Sequence, residues 1–151
     1  MKPFVALSCL FFILISPDAF AYSCSIVATP LNFGAVEGRP GPAQHSMATL
    51  TVVCQSDASP VSVNYQILFG DEGAGKRSMT GIHGEAGYQL YTSSSYQRVW
   101  GDTADSAISD SYYLAAHTTE SRSYTVYARM QPDRSMSTGQ YTGMSSVRLM
   151  Y

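Results

Sequence analysis

The sequence predicts an all-β protein built as an antiparallel β-sandwich, and three observations lead to that prediction. Apolar residues alternate with polar ones in several short segments, as expected of strands that bury one face. Nowhere do apolar residues recur at the spacing of three and four, with a cap before and a glycine after, that indicates a helix. Turn-forming residues separate the alternating segments at intervals of roughly ten residues, which is typical of sandwiches.

The first predicted strand is interrupted. Ser25–Thr29 and Leu31–Phe33 are β-prone but are separated by Pro30, which cannot donate a ladder hydrogen bond. Such a strand is expected at the edge of a sheet or where the chain switches between sheets. Gly38–Pro42 is rich in glycine and proline and is predicted to be a loop.

The two clearest strands follow. Threonines alternate with the apolar residues of the first, and Ser62, Asn64 and Gln66 alternate with those of the second, after a turn at Ser56–Pro60. The inward-facing residues are Ala48, Leu50, Val52 and Cys54 in the first strand, and Val61, Val63, Tyr65, Ile67 and Phe69 in the second. The strength of the second alternation predicts a central strand with one face on the core and one in water.

The middle of the chain carries weaker signals. Gly70–Gly75 is predicted to be a glycine-rich bend, followed by a short segment at Met79. A further strand is predicted from the alternation of Tyr88, Leu90 and Thr92. Tyr96–Trp100 and Tyr112–Ala115 are additional strand candidates, separated by the polar stretch 101–110.

The last two predicted strands close the sandwich. Tyr124–Met130 alternates apolar and polar residues, and the final strand lies within Gly139–Tyr151. There Val147, Leu149 and Tyr151 are predicted to share one half-buried face, although Met150 breaks the pattern. About seven short strands rich in Thr, Val and Tyr therefore predict a sandwich of immunoglobulin-like kind.

The N-terminus has the pattern of a secretory signal peptide. Lys2 is followed by the apolar run Phe4–Ile15 and by a segment that ends in the small residue Ala21. We therefore expect residues 1–21 to be removed and residues 22–151 to form one domain of about 130 residues. Lipid modification of Cys24 is a weaker alternative, because the residues before it match a lipobox poorly.

Composition excludes several classes of partner. The net charge of −2 does not change when Lys2 and Asp18 leave with the signal peptide, and the basic residues are scattered singly. Such a surface offers nucleic acid no electrostatic footprint. No apolar run after residue 21 reaches membrane-spanning length, so we expect a protein that does not span the membrane.

The cysteines predict one disulfide bond. Cys9 lies in the predicted signal peptide, which leaves Cys24 and Cys54 as an even pair in an exported chain. Closing a loop of this length contributes roughly 3 to 4 kcal/mol on the chain-entropy estimate. The pair is expected to be a structural crosslink, because no Cys-x-x-Cys motif indicates redox chemistry.

No constellation of residues predicts catalysis, a cofactor or a metal. Gly70–Lys76 has the spacing of a phosphate-binding loop, but Arg77 replaces the Ser or Thr that binds magnesium and no helix follows. His45, His83 and His117 lack the spacing of metal ligands, and the acidic pairs lack the alternation of a calcium-binding loop. The eleven tyrosines, many near strand ends, suit the rims of a sandwich or a subunit interface.

Taken together, several segments resemble the spore coat protein U domain, a family that includes subunits of archaic (Csu-type) chaperone-usher pili. The resemblance covers residues 24–151. It is carried by Cys24–Gly34, the threonine-rich strand ending in Cys54, Arg77–Met79, Tyr88–Tyr91 leading to Val99–Asp102, Tyr124–Tyr127, and Gly139-x-Tyr141.

The resemblance implies an incomplete immunoglobulin-like sandwich that lacks one strand. A periplasmic pilus chaperone would lend that strand, and an outer-membrane usher would exchange it for the N-terminal extension of another pilus subunit. The fibre would serve cell adhesion and biofilm formation at the cell surface. By the same resemblance Cys24 and Cys54 form the family's disulfide, and Tyr141, Val147, Leu149 and Tyr151 contact the exchanged strand or the chaperone.

One departure from the family pattern bears on the role of this chain. A donor segment needs about ten residues at about 3.3 Å each, whereas only Tyr22 and Ser23 precede Cys24 in the predicted mature chain. We therefore expect a subunit that accepts a strand without donating one, at the fibre tip, as a minor adaptor or outside the polymer. The alternative is a self-complete secreted module that binds carbohydrate or another surface ligand; an exported enzyme ranks third.

Overall fold

A computed structural model describes residues 22–70 and 77–151. The predicted signal peptide and nearly all of the predicted bend at 70–75, with its resemblance to a phosphate-binding loop, lie outside the described residues. The strands are β1 (Tyr22–Ala28), β2 (Gln44–Ser56), β3 (Val61–Phe69), β4 (Arg77–Gly81), β5 (Gly84–Tyr91), β6 (Ile108–Leu114), β7 (Thr119–Met130), β8 (Tyr141–Thr142) and β9 (Val147–Met150). The only helical turn in the described ranges is a 3₁₀ turn at Ala104–Ser106.

The strands form two antiparallel sheets, which confirms the predicted all-β sandwich. The larger sheet has the order β1-β2-β7-β5-β4-β8, and the smaller has the order β6-β3-β9. The predicted central strand, β3, lies between β6 and β9. Among the described residues β1 pairs only with β2 in the larger sheet and β9 pairs only with β3 in the smaller sheet, so both are edge strands there.

The core lies between the sheets and contains the residues that alternation predicts. β2 contributes Leu50, Val52 and Cys54, and β7 contributes Val126, Ala128 and Met130. The inward-facing residues of β3 pack against them from the opposite sheet, with Val61 less deeply buried at the strand's start. Period-two alternation selects the buried face correctly because every second side chain of a strand projects to the same side.

Leu31–Phe33 is not a strand, contrary to the prediction. Pro30 ends the pairing of β1 with β2, and the Gly34 N–H then bonds to the side chain of Asn32 at 2.7 Å, with Gly34 at a φ of 73°. Asparagine side chains form such local turns in competition with a ladder. The backbone therefore leaves the sheet immediately after β1.

Tyr96–Trp100 is not a strand either, apart from a single bridge between Tyr91 and Val99. Tyr96 takes a φ of 53°, which extended structure does not allow, and its N–H bonds to the carbonyl of Ser93. Trp100 instead joins the sheets: its backbone N–H bonds to Leu90 of β5 and its indole N–H bonds to the Ile67 carbonyl of β3 at 2.8 Å.

The remaining strands differ from prediction mainly in extent. The weak candidate at 112–115 is the end of β6, which begins at Ile108. Thr92 lies just beyond β5, and the predicted final strand is divided into β8 and β9. No helix within the described ranges is long and apolar enough to span a membrane.

Candidate functional site

An open groove of about 530 Å³ lies between the two sheets, where the edge strands β1 and β9 face each other. Its floor is apolar and consists of core residues from five strands. Its walls are two irregular segments. The first wall, residues 29–33, follows β1, and the second wall, residues 140–145, leads from β8 toward β9. The lining residues are Ala28–Phe33, Ala48, Leu50, Phe69, Met79, Tyr88, Leu90, Val126, Gln140–Ser145 and Val147.

The size of this groove is unusual for the core of a sandwich. Leu50 and Val126 are almost completely buried, yet they border the empty volume. Protein interiors are packed with few voids larger than a water molecule, whose share of liquid volume is about 30 Å³. The groove is therefore an opening into the apolar interior that is much larger than an ordinary packing void.

The first wall is the segment that leaves the sheet after β1. The Thr29 N–H bonds to the Thr49 carbonyl at 2.9 Å, and the Thr29 hydroxyl accepts the Thr49 N–H at 2.8 Å. Further along, the carbonyl of Asn32 accepts the Ser46 hydroxyl, and the ring of Phe33 packs edge-on against Tyr88. These contacts hold the segment in place although it pairs with no strand among residues 22–70 and 77–151.

The second wall crosses from one sheet to the other between β8 and β9. The Tyr141 hydroxyl donates to the Ser137 carbonyl at 2.6 Å, and Tyr88 and Ser145 share a hydrogen bond of 2.7 Å. At Gly143 a Cβ atom would lie only 3.0 Å from the Met79 side chain and from the Ser78 carbonyl. Glycine allows the backbone to pass this close to β4.

β9 presents an open edge to the groove. The Gly70 N–H bonds to Ser146, and the ladder continues through the pairs Leu68–Arg148 and Gln66–Met150. In an antiparallel ladder alternate residues direct their backbone groups to the partner. The backbone groups of Val147 and Leu149 therefore point away from β3, toward the side where no strand pairs among the described residues.

The structure brings some of the predicted contact residues together and separates one. Val147 and Tyr141 line the groove, and Leu149 is half-buried beside them against the core. Tyr151 does not share their half-buried face: it is 59% exposed, and its ring lies 5.5 Å from that of Tyr22. Tyr151 follows the end of β9 at Met150.

Sequence reasoning did not identify the first wall as part of the site. Its signal was present in Pro30, which predicts the end of ladder pairing, and in the apolar residues Leu31 and Phe33 after it. Apolar residues that follow a proline at a sheet edge can line a groove instead of extending the strand. The contribution of Tyr88 from β5 depends on tertiary packing and has no local signal.

The predicted disulfide joins Cys24 and Cys54 and fastens β1 to β2. The two residues are direct partners in the antiparallel register. Within the described residues β1 pairs only with β2, and this crosslink adds a covalent bond to their ladder. It thereby holds the strand from which the first wall of the groove extends.

A polar cluster closes the opposite side of the sandwich, between β6, β3 and β7. Tyr124 donates a hydrogen bond to Asp110 and shares another with Tyr65. Arg122 pairs with Asp110 at 3.1 Å, and its guanidinium lies 3.9 Å above the ring centre of Tyr112. Hydrogen bonds and an ion pair among Tyr65, Asp110, Arg122 and Tyr124 thus fill the gap between the sheets on this side.

The charges in this cluster shift several pKa values. Burial opposes ionisation of Asp110, but the hydrogen bonds from Tyr124 and Arg122 and the positive charge of Arg122 outweigh it, so its pKa lies below the ordinary value. Burial, reinforced by the hydrogen bond to Asp110, raises the pKa of Tyr124. Burial likewise raises the pKa of Tyr112 to about 12.

We expect this cluster to make the domain sensitive to acid. The pKa of Asp110 is lowered in the folded state, so its contribution to stability is complete above its ordinary pKa of 3.8 and is lost as the pH falls through the folded value. Urea unfolding between pH 7 and pH 2 checks this. The variant Asp110→Asn should be less stable at neutral pH and should lose less stability in acid than the wild type.

The control for this prediction is Asp133, whose pKa is also lowered, by hydrogen bonds from Ser135 at the surface. Asp133→Asn should leave most of the acid dependence in place, because its partner is an exposed neighbouring loop residue. Equal acid profiles for the wild type and Asp110→Asn would contradict the assignment.

The other chemical candidates are placed apart from one another. His45 packs against Tyr96 at 4.6 Å, His83 lies in the turn between β4 and β5, and His117 lies in the turn before β7. Within the described ranges no three His, Cys, Asp or Glu residues converge as metal ligands. Arg77 is buried and bonds to Gln89 and to the carbonyls of Phe69 and Trp100.

The tyrosines lie in different environments of the sandwich. Tyr22 and Tyr124 are half-buried and Tyr65 is buried in the core, and all three hydroxyls are hydrogen-bonded. Tyr91, Tyr96 and Tyr127 form an edge-on aromatic cluster beside β5 and β7, with the ring centres of Tyr96 and Tyr91 5.4 Å apart. Tyr91, Tyr96 and Tyr127 are partly open to solvent.

Comparison with known proteins yields one clear match. No curated protein matches the chain. The model of the Spore Coat Protein U domain matches residues 10–147, nearly the whole length. This family indicates a structural subunit of pilus or coat type, associated with surface fimbriae and not known for enzymatic activity. The chain therefore belongs to the Spore Coat Protein U domain family.

Proposed function

We propose that this protein is a subunit of an archaic chaperone-usher surface pilus and that its groove receives a β-strand from a partner. The observation that carries the proposal is the groove itself, an empty volume of about 530 Å³ bordered by core residues of both sheets. A domain with this much open core is expected to gain stability from a partner that fills it.

The shape and chemistry of the groove favour a strand over a small ligand. Its floor is apolar, and one flank is the open backbone edge of β9. An added strand can direct alternate apolar side chains into the floor while its backbone bonds to Val147 and Leu149, which is the mode of β-augmentation. The described lining contains no acidic or basic side chain that would orient a charged small molecule.

The proposal defines partners and a route. We expect residues 1–21 to direct export and to be removed, leaving the domain at 22–151. A periplasmic chaperone then fills the groove with a strand, and an outer-membrane usher exchanges that strand for one from another pilus subunit. Other pilus subunits complete the fibre at the cell surface. The fibre serves adhesion and biofilm formation, and the subunit has no catalytic role, cofactor or metal.

Co-expression in a periplasm tests this function. The chain is exported alone or with the chaperone encoded at the neighbouring locus, and soluble yield and co-purification are measured. We expect low yield alone and a several-fold rise with the chaperone. If the chain accumulates alone as a cooperatively folding monomer and ignores the chaperone, the sandwich is self-complete and the function is that of a secreted binding module.

Two adjacent residues of β1 provide a matched pair of variants. Ala28 lines the groove, whereas Val27 is exposed on the opposite face of the strand. Ala28→Arg places a bulky charge at the groove, and it should abolish rescue by the chaperone. Val27→Arg adds the same charge outside the groove and should behave as the wild type. Equal rescue of both variants would show that the chaperone binds elsewhere.

A further inference from the structure

The gap between the edge strands β1 and β9 is closed at one end and open at the other. Ala28, at the end of β1, and Val147, at the start of β9, line the groove. From these two residues the groove extends away from the rest of both strands. At the other end the rings of Tyr22 and Tyr151 are in contact, with their centres 5.5 Å apart. The space between the sheets is thus wedge-shaped.

The Tyr22 hydroxyl also forms hydrogen bonds with backbone groups of the opposite sheet. Its hydroxyl donates to the Asn64 carbonyl at 3.0 Å and lies 3.4 Å from the Asn64 N–H. By the alternation of the ladder, Gly70, Leu68, Gln66 and then Asn64 direct their backbone groups toward β9. β9 pairs no further than Gln66, so the Tyr22 hydroxyl takes the position of the next strand residue.

At the closed end, pairing within the larger sheet holds Tyr22 in place. Tyr22 pairs with Ser56 in the ladder of β1 and β2, and the disulfide at Cys24 lies two residues away. The ring of Tyr22 contacts Tyr151, and its single hydroxyl satisfies two backbone groups of Asn64. This combination makes the closure specific to tyrosine. Phenylalanine would retain the ring contact and lose the bonds to Asn64.

We propose that Tyr22, Tyr151 and Asn64 form a latch that determines how far an inserted strand can run. The inference rests on the proposed function. A partner strand enters at the end bordered by Ala28 and Val147 and stops at the latch, because the contact between Tyr22 and Tyr151 closes the space between β1 and β9 there. The groove therefore selects a short strand, and residues of a longer strand that pass the latch add no contacts.

Synthetic peptides of two lengths test the latch on the exported chain. Each alternates valine with threonine between flanking lysines, with a strand of about six or about twelve residues. For the wild type we expect equal affinities for both lengths. For Tyr22→Ala we expect the longer peptide to bind on the order of tenfold more tightly than the shorter, because its additional apolar side chains can be buried.

Two further variants separate the latch from general loosening of the fold. Tyr113 is exposed on β6, so Tyr113→Ala should give the wild-type pattern. Tyr22→Phe should give a smaller length preference than Tyr22→Ala. If the wild type already prefers the longer peptide as strongly as Tyr22→Ala does, the latch is refuted while strand acceptance stands. If neither peptide binds either protein, both the latch and the proposed function fail.

Discussion

Replacing Trp100 by alanine should destabilise the domain by about 3 to 5 kcal/mol, the range measured for large aromatic deletions in protein cores. Trp100 is fully buried, and its ring packs at right angles to Phe69 with centres 5.2 Å apart. The substitution also leaves the Ile67 carbonyl without its indole donor. Because domains are stable by only about 5 to 15 kcal/mol, most of the variant should unfold at low urea.

Urea unfolding of the exported chain measures this effect, and two variants interpret it. Trp100→Phe keeps an aromatic ring but not the hydrogen bond, so it should cost less than alanine. Val27→Ala removes an exposed side chain and should change stability by less than about 0.5 kcal/mol. A loss below about 1 kcal/mol for Trp100→Ala would show that Trp100 does not join the two sheets as described.

Removing the disulfide is the second large perturbation. Cys24 and Cys54 are separated by 30 residues, and deleting a crosslink of that length is expected to cost about 3 to 4 kcal/mol. The loss should concentrate on β1, which pairs only with β2 in the part of the chain that the structure describes. The first wall of the groove begins where β1 ends, so acceptance of a strand should weaken together with stability.

The double variant Cys24→Ala, Cys54→Ala allows this to be measured without a free thiol. Its unfolding midpoint should lie well below that of the oxidised wild type and should not respond to a reductant. The wild type treated with a reductant should approach the variant. If oxidised wild type and variant unfold together, the crosslink does not stabilise β1.

The sequence was most informative where one face of a strand is buried and the other is wet. Alternation predicted the inward-facing sets of β2, β3 and β7, because a shift of one residue would turn every apolar side chain outward. It failed at Leu31–Phe33 and at Tyr96–Trp100, which contain β-prone residues but bend through Asn32 and Tyr96. Local backbone turns override β propensity there.

The candidate site could be predicted only in part, because it depends on contacts between residues that are far apart in the sequence. Val147 and Tyr141 follow from the final strand and from the family resemblance, and both line the groove. The closing role of Tyr22 could not be predicted, since it depends on a contact with Asn64 across 42 residues of sequence. A groove is a property of how two sheets meet, and alternation within one strand carries no information about that spacing.

Amide hydrogen exchange of the chain, alone and bound to the chaperone, tests strand acceptance most directly. We predict that the Val147 and Leu149 amides exchange much more slowly in the complex, because their N–H groups point to the open edge of β9. Amides at the centre of the β2–β7 pairing, such as Val126, should be protected in both states. A complex that protects the surface around Tyr91 and Tyr96 and leaves β9 unchanged would contradict strand insertion.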